Sequence, residues 1–379
     1  MSGARLILAS SLAHMHTHMT INLVIAILPA LQAMLILSYT KTELIAAVFF
    51  IAYSLSTLIS GILGLRHSKK WLVVAGQILA FVSLLILSGV ESYIPILLIH
   101  ILLGIGSGTY HSPGTTILVD FSPENRINTY LGIHGFSSSL GMIISPLIVS
   151  YFLIFYTLDR LLLFFAFFTL SVALLYSLLI HSDRASEISA SDFFSFFRKN
   201  ARRSFIASYF MRDASFWGLM SFIPLYAFNV VGLSKPASAA IVALFPFMGM
   251  FANIAGGVLG DKFGALRVAA ACVFFAALSL FPIILIPSAK IFYMTVVLLG
   301  VMLYATIPLF DSIVAYHFPV NLRAPAYGVF QGIGFFVGGI FSLGAGMVSD
   351  FIDVRVFFVI IAAILLLSAC LIHFEKDIS

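Results

Sequence analysis

Long runs of apolar residues, separated by short clusters of charged and small residues, recur along the whole chain. A helix that spans a membrane needs about 20 predominantly apolar residues, and the runs are of this length or longer. The pattern therefore predicts an all-α, polytopic membrane protein with twelve transmembrane helices. The predicted spans cover residues 6–37, 42–65, 70–89, 93–119, 127–154, 158–181, 204–231, 236–260, 265–286, 291–316, 322–349 and 353–374.

The composition supports this reading of the pattern. Of the 379 residues, 61% are hydrophobic and 9% are charged, whereas soluble domains are about 45–50% apolar and about 25% charged. These values exclude an ordinary cytosolic protein, a disordered chain and a disulfide-stapled secreted module. The net charge of +5 is spread over short loops, so we predict no nucleic-acid partner. Cys272 and Cys370 lie inside apolar runs and carry no metal or redox signal.

The distribution of Lys and Arg between the loops predicts the orientation. If the N-terminus is cytoplasmic, fourteen Lys and Arg residues fall in inner loops and five in outer loops. Cytoplasmic loops carry the excess of positive charge, so we expect both termini in the cytoplasm. The first apolar run exceeds 25 residues, which is too long for the apolar region of a signal peptide. We expect a multi-pass monomer in the plasma membrane, with the lipid bilayer as its surroundings.

One connection is much longer than the others and divides the chain at its middle. It covers residues 182–203 and separates a six-helix bundle at 1–181 from a second bundle at 204–379. Its segment 191–199 begins with a Ser and pairs Phe with cationic residues, which favours a short helix on the inner membrane surface. A disordered linker is the alternative, because the connection is rich in Ser and charge.

The two halves are related by an internal repeat at an offset of 196 residues. The matching positions fall in the loops after spans 2 and 8 and after spans 4 and 10. Duplicated six-helix halves are typical of secondary transporters. The identities are Gly61 with Gly257, Leu63 with Leu259, Gly64 with Gly260, Pro123 with Pro319, Asn125 with Asn321, and Gly132 with Gly328.

The loop after span 8 combines glycines with charges, and its residues are Gly257, Gly260, Asp261, Lys262, Gly264 and Arg267. This arrangement resembles the cytoplasmic loop motif of the major facilitator superfamily, which implies two pseudo-symmetric six-helix bundles and transport by alternating access. Glycines allow close helix contact, and a carboxylate can cap a helix while pairing with cations. The loop is therefore predicted to be a latch that opens as the halves rock; a plain turn with positive inner charges is the alternative.

The first-half copy of the motif is degenerate, since Leu65 stands where an acid is expected and Ser68 where the second copy has Gly264. The first half must therefore latch differently. Residues at the same end of the spans are assigned to this gate, and they are Arg66, Asp120, Arg126 and Arg323.

Three further segments resemble the fosmidomycin-resistance branch of the superfamily. They are 18–22 with 27–31 in span 1, 108–113 in span 4, and 211–212 with 222–226 in span 7. The sequence departs from that branch at Asn22, where an acid is usual, and at Ser112, which is an extra residue before Pro113. The resemblance implies efflux of a small molecule, and a glycine-rich run in span 5 favours the same direction.

Polar and charged residues inside the predicted spans define the candidate transport site. A charged side chain at mid-bilayer costs about 2.5–3.5 kcal/mol, so each one needs a partner or a water-filled cavity. The superfamily lines its cavity with spans 1, 4, 7 and 10, where these residues lie. We hypothesise that one wet site between the halves contains His18, Asn22, His111, Arg212, Asp213 and Asp311.

Each residue has an expected role and a structural alternative. Arg212 would hold an anionic or hydrogen-bonding group of the substrate, and His18, His111 or Asp311 would change protonation during the cycle. Alternatively, Arg212 and Asp213 pair for structure or Arg212 extends to the interface, and Asp311 belongs to the gate. His16 and His100 are interpreted as packing residues. His14 and His18 lie four residues apart, but two ligands without a third predict no metal site.

The energy source and the rival functions complete the prediction. No phosphate-binding G-x-x-x-x-G-K-[ST] sequence occurs, so ATP hydrolysis is not expected. We predict a secondary transporter without a cofactor, not an enzyme, that exports a small organic molecule by proton antiport. The alternatives are a proton symporter that imports a metabolite anion, a polytopic membrane enzyme and a channel. An enzyme would need acidic catalytic residues on a sizeable outer loop, and the outer loops are only a few residues long.

Overall fold

The fold is taken from a computed structural model of the chain. It describes residues 3–64, 66–122, 127–181, 195, 198, 202–286, 288–318 and 320–375. Within these residues the regular elements are all α-helices. They are α1 (Gly3–Leu35), α2 (Tyr39–Leu63), α3 (Lys69–Leu87), α4 (Tyr93–Gly108), α5 (His111–Phe121), α6 (Ile127–Phe155), α7 (Leu158–Leu179), α8 (Arg203–Asn229), α9 (Lys235–Phe263), α10 (Ala265–Ser279), α11 (Phe281–Leu285), α12 (Ala289–His317), α13 (Val320–Phe351) and α14 (Val354–His373).

Eleven helical stretches are long and apolar enough to cross a membrane. Two of them contain a break: α4 and α5 together form Tyr93–Phe121, and α10 and α11 form Ala265–Leu285. Helix α8 is more polar and is not among the eleven, but its 27 residues reach about 40 Å. The described residues thus contain twelve long helical segments, which confirms the all-α, polytopic architecture. The helix predicted over 191–199 lies outside the described residues apart from Ser195 and Arg198.

Side-chain caps and prolines explain several of the helix boundaries. The hydroxyl of Ser38 accepts a hydrogen bond from the Lys41 amide at the start of α2, and Ser68 caps α3 in the same way. The span made by α4 and α5 breaks after Gly108. Pro113 follows the break, and because it lacks an N–H group it cannot continue the hydrogen-bond ladder back into α4. The break places His111 at the first residue of a new helix.

We refer to α1–α7 as the N-half and to α8–α14 as the C-half. The terminus side is the end of the helices where the described chain begins and ends; the other end is the opposite side. In the N-half, α1 packs on α6 and α7, and α3 packs on α4 and α7. In the C-half, α9 packs on α12, and α8 packs on α13 and α14. The halves meet along α2 with α13 and along α6 with α9. These two pairs are equivalent under the sequence repeat.

Glycines spaced by seven residues line the contact between α2 and α13. A Cβ atom at Gly346 would lie 2.7 Å from the carbonyl oxygen of Tyr39, and one at Gly339 would lie 3.0 Å from that of Ala47. Gly332, one further step along α13, approaches Leu58 closely. Small residues at such spacing allow helix backbones to come close together in a membrane. The two halves therefore pack tightly along this line.

Hydrogen bonds join the halves on the opposite side. The carboxylate of Asp350 in α13 accepts the backbone N–H groups of Tyr39 at 2.9 Å and Thr40 at 2.7 Å. These groups belong to the first turn of α2, where free N–H groups attract negative charge. The side chain of Asn229 in α8 donates to Gln32 in α1 at 2.7 Å. The opposite side is therefore closed by contacts between the N-half and the C-half.

Candidate functional site

Three histidine rings from two helices meet inside the N-half. His14 and His18 lie one turn apart on α1, and His111 begins α5. The ring centroids are 4.8 Å apart for His14 and His18, 5.2 Å for His14 and His111, and 5.3 Å for His18 and His111. The three side chains are buried. The structure therefore brings together His18 and His111 as the sequence hypothesis expects, and it adds His14. We call these three residues the histidine cluster.

Hydrogen bonds from α6 hold the histidine cluster in place. Nδ1 of His14 donates to the backbone oxygen of His134 at 2.8 Å, and the two rings stack at 3.7 Å. Nε2 of His134 donates to the hydroxyl of Tyr110 at 2.9 Å, and this hydroxyl donates to the backbone oxygen of Ser10 at 2.7 Å. The bond to the His134 backbone fixes the orientation of the His14 ring, and the bonds through Tyr110 fix the His134 ring stacked on it.

The other polar residues of the N-half lie around the histidine cluster or away from it. Asn22 is fully buried, and its amide donates to the backbone oxygen of His18 at 3.0 Å. His16 points elsewhere and donates from Nε2 to Thr169 at 2.7 Å, while His100 bonds the backbone oxygen of Ile96 at 2.8 Å. His16 and His100 are thus buried histidines outside the cluster, each with one ring nitrogen hydrogen-bonded and the other without a partner.

A charged group in the C-half surrounds Arg212 on α8. Its Nε donates to Thr306 at 2.7 Å and its Nη2 to the backbone oxygen of Leu303 at 2.9 Å, both on α12. Its Nη1 forms an ion pair with Asp213. Asp311 of α12 interacts electrostatically with Arg212 and Asp213. The structure therefore brings Arg212, Asp213 and Asp311 together within the C-half.

Aromatic rings lie between the histidine cluster and the charged group. The ring of Phe335, from α13, is 6.1 Å from that of His111 and 4.5 Å from that of Trp217, one turn beyond Asp213. Tyr53 of α2 lies against the same phenyl ring at 4.7 Å. The six predicted residues thus form two groups, one in each half, on either side of an aromatic layer made of Tyr53, Trp217 and Phe335. Sequence reasoning missed this layer because aromatic residues are common throughout the chain.

A buried carboxyl group at the contact between the halves was also missed. Glu43 lies in the second turn of α2, is fully buried, and has no hydrogen-bond partner of normal geometry for either oxygen. The hydroxyl of Ser221 on α8 faces it, and this hydroxyl is 2.8 Å from that of Ser342 on α13. The predicted span began at residue 42, so Glu43 was placed at a helix end. The position of Glu43 directly before an uninterrupted apolar run was the sequence signal that could have identified it.

The gate residues predicted for the loop after span 8 lie mostly in helices: the residues up to Lys262 belong to the end of α9, Arg267 belongs to the start of α10, and only Gly264 stands between the two. Gly264 has a φ angle of +90°, which a residue with a side chain rarely adopts, and it separates the two helices. Asp261, Lys262 and Arg267 are exposed. A Cβ atom at Gly260 would lie 2.3 Å from the Leu309 side chain of α12. The charged residues are therefore on the surface of the terminus side, and the glycine faces α12.

A matched pair of glycines in α9 tests how close the helix contact is. A Cβ atom at Gly256 would lie 2.3 Å from the backbone oxygen of Ala305, whereas one at Gly257 would meet nothing within 4 Å. Gly256→Ala should destabilise the protein by about 1–3 kcal/mol because the helices must move apart. Gly257→Ala should be neutral or stabilising by up to about 1 kcal/mol. Thermal unfolding in detergent measures both, and equal melting temperatures would contradict the contact.

The N-half gate contains an ion pair that the degenerate motif did not reveal. Nζ of Lys69, at the start of α3, lies 3.4 Å from Oδ2 of Asp120 at the end of α5, and the lysine side chain is only 4% exposed. Asp120 was a predicted gate residue, whereas Lys69 was not. Arg66 is exposed. Arg126 and the side chain of Arg323 lie outside the described residues. An acid from α5 thus pairs with a lysine at the start of α3, close in the chain to the degenerate motif.

We expect this ion pair to be energetically coupled. We expect a double-mutant cycle with Lys69→Gln and Asp120→Asn to give a larger coupling energy than exposed ion pairs do, because the lysine is buried. Exposed pairs typically give about 0.2–1 kcal/mol. The control pair is Arg355 with Asp353, at 3.1 Å and with both side chains exposed. Stability in detergent is the readout, and additive effects at Lys69 and Asp120 would refute the coupling.

The arrangement of the helices defines a class of protein before any relative is considered. Two halves with equivalent contacts, joined tightly on one side and enclosing buried polar groups, form the architecture of a membrane transporter rather than an enzyme. The sequence profile described as Major Facilitator Superfamily matches residues 10–343, and the chain belongs to this superfamily. Comparison with curated protein sequences finds no match.

Solved structures with the same fold are transporters. A bacterial homologue of the human lysosomal transporter Spinster, in an inward-facing and unoccupied conformation, has a TM-score of 0.76 and 17% identity over 100% of this chain and 99% of its own. A POT family transporter in complex with 5-aminolevulinic acid has a TM-score of 0.82 and 14% identity over 97% and 95% of the two chains. The human organic anion transporter MFSD10 (TETRAN) has a TM-score of 0.74 and 14% identity over 98% and 100%.

Proposed function

We propose that the chain is a proton-coupled secondary transporter that exports a small organic molecule by alternating access. Its place would be the plasma membrane, with both termini in the cytoplasm and with the bundles 1–181 and 204–379 moving as two bodies in a monomer. The observation that carries the proposal is the charged group of buried Arg212 and Asp213 with half-buried Asp311, on two helices that face each other inside the C-half. Such groups within a membrane protein mark ion or substrate pathways.

The charged group suggests how a proton and a substrate are linked. Arg212 is held by Asp213 and by two oxygen atoms of α12. Protonation of Asp213 or Asp311 would weaken this hold and change the charge that the site presents to a substrate. A substrate whose cationic or hydrogen-bond-donating group competes with protons for the carboxylates would be exchanged against them. This competition is the basis of antiport.

Closure of the opposite side supplies a second link to protons. Glu43 lies where α2, α8 and α13 meet, and an unpaired carboxylate there would cost several kcal/mol. The neutral acid avoids most of this cost. Closing the opposite side over Glu43 would therefore take up a proton, and opening it would release one.

The direction of transport rests on sequence resemblance. The segments that resemble the fosmidomycin-resistance branch, including His18 to Asn22 and Met211 to Arg212, favour efflux. The guanidinium of Arg212 favours the second candidate, a proton symporter that imports a metabolite anion. One structural relative is named as an organic anion transporter and another was solved with 5-aminolevulinic acid. A carboxylate or phosphonate substrate would suit the same arginine.

Transport by reconstituted vesicles under an imposed pH gradient tests the proposal. Fosmidomycin, other phosphonates, carboxylates and antibiotics are first screened for thermal stabilisation of the purified chain. The stabilising compound is then loaded into proteoliposomes. Movement of the compound against the direction of the protons supports antiport, and movement with the protons supports the symporter. Flux that ignores the gradient would refute proton coupling.

A further inference from the structure

The histidine cluster has the composition and geometry of a transition-metal site. His14, His18 and His111 each offer one imidazole nitrogen, and the three nitrogens lie within 4.8 Å of one another. We propose that these residues bind one divalent metal ion of the borderline class, with Zn²⁺ as the reference ion. The two histidines of α1 were dismissed at the level of sequence because no third ligand was apparent. The third ligand comes from α5, about one hundred residues later in the chain.

The separation of the nitrogens is close to what a metal needs. With bond lengths of about 2.0–2.1 Å, a tetrahedral zinc ion holds its nitrogen ligands roughly 3.3 Å apart. The three nitrogens lie up to 4.8 Å apart, so they must move closer together to bind one ion. Small side-chain rotations can supply this movement. The three pairs of rings are also nearly perpendicular, at 78°, 90° and 87°. Rings in this arrangement can turn one nitrogen each towards a common point, which stacked rings cannot do.

The hydrogen bonds around the cluster leave ligand atoms unused. A carbonyl oxygen only accepts, so the bond to His134 places a proton on Nδ1 of His14 and leaves a lone pair on its Nε2. Metal-binding histidines are usually oriented by such a bond from the second nitrogen. Nδ1 of His18 and Nε2 of His111 are buried without hydrogen-bond partners. A buried polar atom without a partner has lost its hydration without compensation, and a bound ion would remove part of this cost.

The ligand set selects the class of ion. Neutral imidazoles suit Zn²⁺, Cu²⁺ and Ni²⁺, whereas Mg²⁺ and Ca²⁺ require oxygen ligands. Three histidines leave the fourth tetrahedral position open for water or for an atom of a substrate. The hydroxyl of Tyr53 is buried without a hydrogen-bond partner, and its ring lies 5.8 Å from that of His111. Tyr53 is placed to bond a water molecule or anion at the fourth position.

The metal site goes beyond the proposed function and does not depend on it. It lies in the N-half, whereas the charged group of Arg212 lies in the C-half beyond Phe335. Metal binding therefore requires no assumption about proton coupling or the direction of transport. A chain that binds Zn²⁺ without proton-coupled flux, or the reverse, would separate the two proposals.

Direct binding to the purified full-length chain tests the site. The protein in detergent is stripped with a chelator and titrated with Zn²⁺ by calorimetry and by competition with a chromogenic chelator. We expect one high-affinity Zn²⁺ per chain and no comparable binding of Mg²⁺. Loss of a hydrogen-bond partner of a metal ligand typically weakens metal binding by about 10–100-fold. His18→Ala and His111→Ala each remove a ligand and should therefore weaken Zn²⁺ binding by more than this. His100→Ala, a buried histidine outside the cluster, is the matched control and should bind as the wild type does.

Further variants keep the result independent of folding. His18→Cys retains a zinc ligand and should recover most of the affinity that His18→Ala loses. Bound Co²⁺ should give the intense visible absorption of a tetrahedral site, and this signal should disappear in His111→Ala. The proposal would be overturned if a folded His18→Ala variant bound Zn²⁺ as tightly as the wild type does.

Vesicle experiments then distinguish two roles of the bound ion, which is either a transported substrate (cargo) or a permanently bound part of the protein (resident). If Zn²⁺ is cargo, proteoliposomes should accumulate it in a saturable manner, and His18→Ala should abolish the accumulation. If Zn²⁺ is resident, the ion should stay with the protein while other compounds are transported. Either result is consistent with the site. Zn²⁺ flux that persists in His18→Ala and His111→Ala would count against it.

Discussion

Arg212→Ala is expected to abolish transport, with a loss of at least about 100-fold in initial rate. The substitution removes the cation that contacts Asp213 and α12, and it leaves Asp213 buried without its partner. Breaking a buried ion pair on one side costs about 3–5 kcal/mol. The measurement is initial uptake or efflux in proteoliposomes that contain equal amounts of folded protein.

The double variant Arg212→Ala, Asp213→Asn separates transport from stability. Removing both charges should restore much of the melting temperature, because no unpaired charge remains, but it should not restore transport. Arg355→Ala is the control, since Arg355 forms an exposed ion pair on the opposite side and its loss should change stability by no more than about 0.5 kcal/mol. Wild-type flux in the double variant would assign Arg212 and Asp213 a purely structural role.

Glu43→Gln should remove the pH dependence of closure on the opposite side. The amide has nearly the same shape as the acid but cannot ionise, so separation of the halves would no longer exchange a proton at this position. The hydroxyl of Ser221 faces Glu43 and is itself paired with the hydroxyl of Ser342, and neither hydroxyl titrates near neutral pH. The distance between spin labels on the exposed residues Lys41 and Lys235 measures closure in acidic and alkaline buffer.

A second carboxyl group on the same side provides the control. Glu91 is exposed in the connection between α3 and α4, so Glu91→Gln should leave the pH dependence intact. In the wild type, alkaline buffer should favour longer label distances, because ionised Glu43 favours an open opposite side. Glu43→Gln should show the same distances in both buffers. A variant that still follows the wild-type pH profile would exclude Glu43 as the proton-linked group.

The sequence predicted the helices far better than it predicted the site. Span 5 was expected at 127–154 and is observed at Ile127–Phe155, because a membrane span is specified by local hydrophobicity alone. The break between α4 and α5 was harder to predict from the sequence, although Pro113 lies close to it. Its exact place follows from packing of α5 against α1, α2 and α3, which no local pattern contains.

The predicted site residues were mostly recognised as unusual, but their groupings depended on three-dimensional contacts. His14 and His18 share a helix face, so their proximity follows from a four-residue spacing. Their contact with His111 required the fold of α5, and Lys69 paired with Asp120 only because α3 and α5 are neighbours. The hypothesis that six polar residues share one wet site remains a prediction. In the present conformation they lie in two groups.

The sequence by itself determined that the chain spans a membrane many times, that its halves repeat, and that charged groups are buried inside it. These properties follow from local composition, because the bilayer penalises every exposed polar group independently of tertiary structure. Only the tertiary structure decided which of these groups meet. It placed His111 beside His14 and His18, Glu43 between the halves, and Phe335 between the two polar groups, because such contacts join residues far apart in the chain and depend on how whole helices pack.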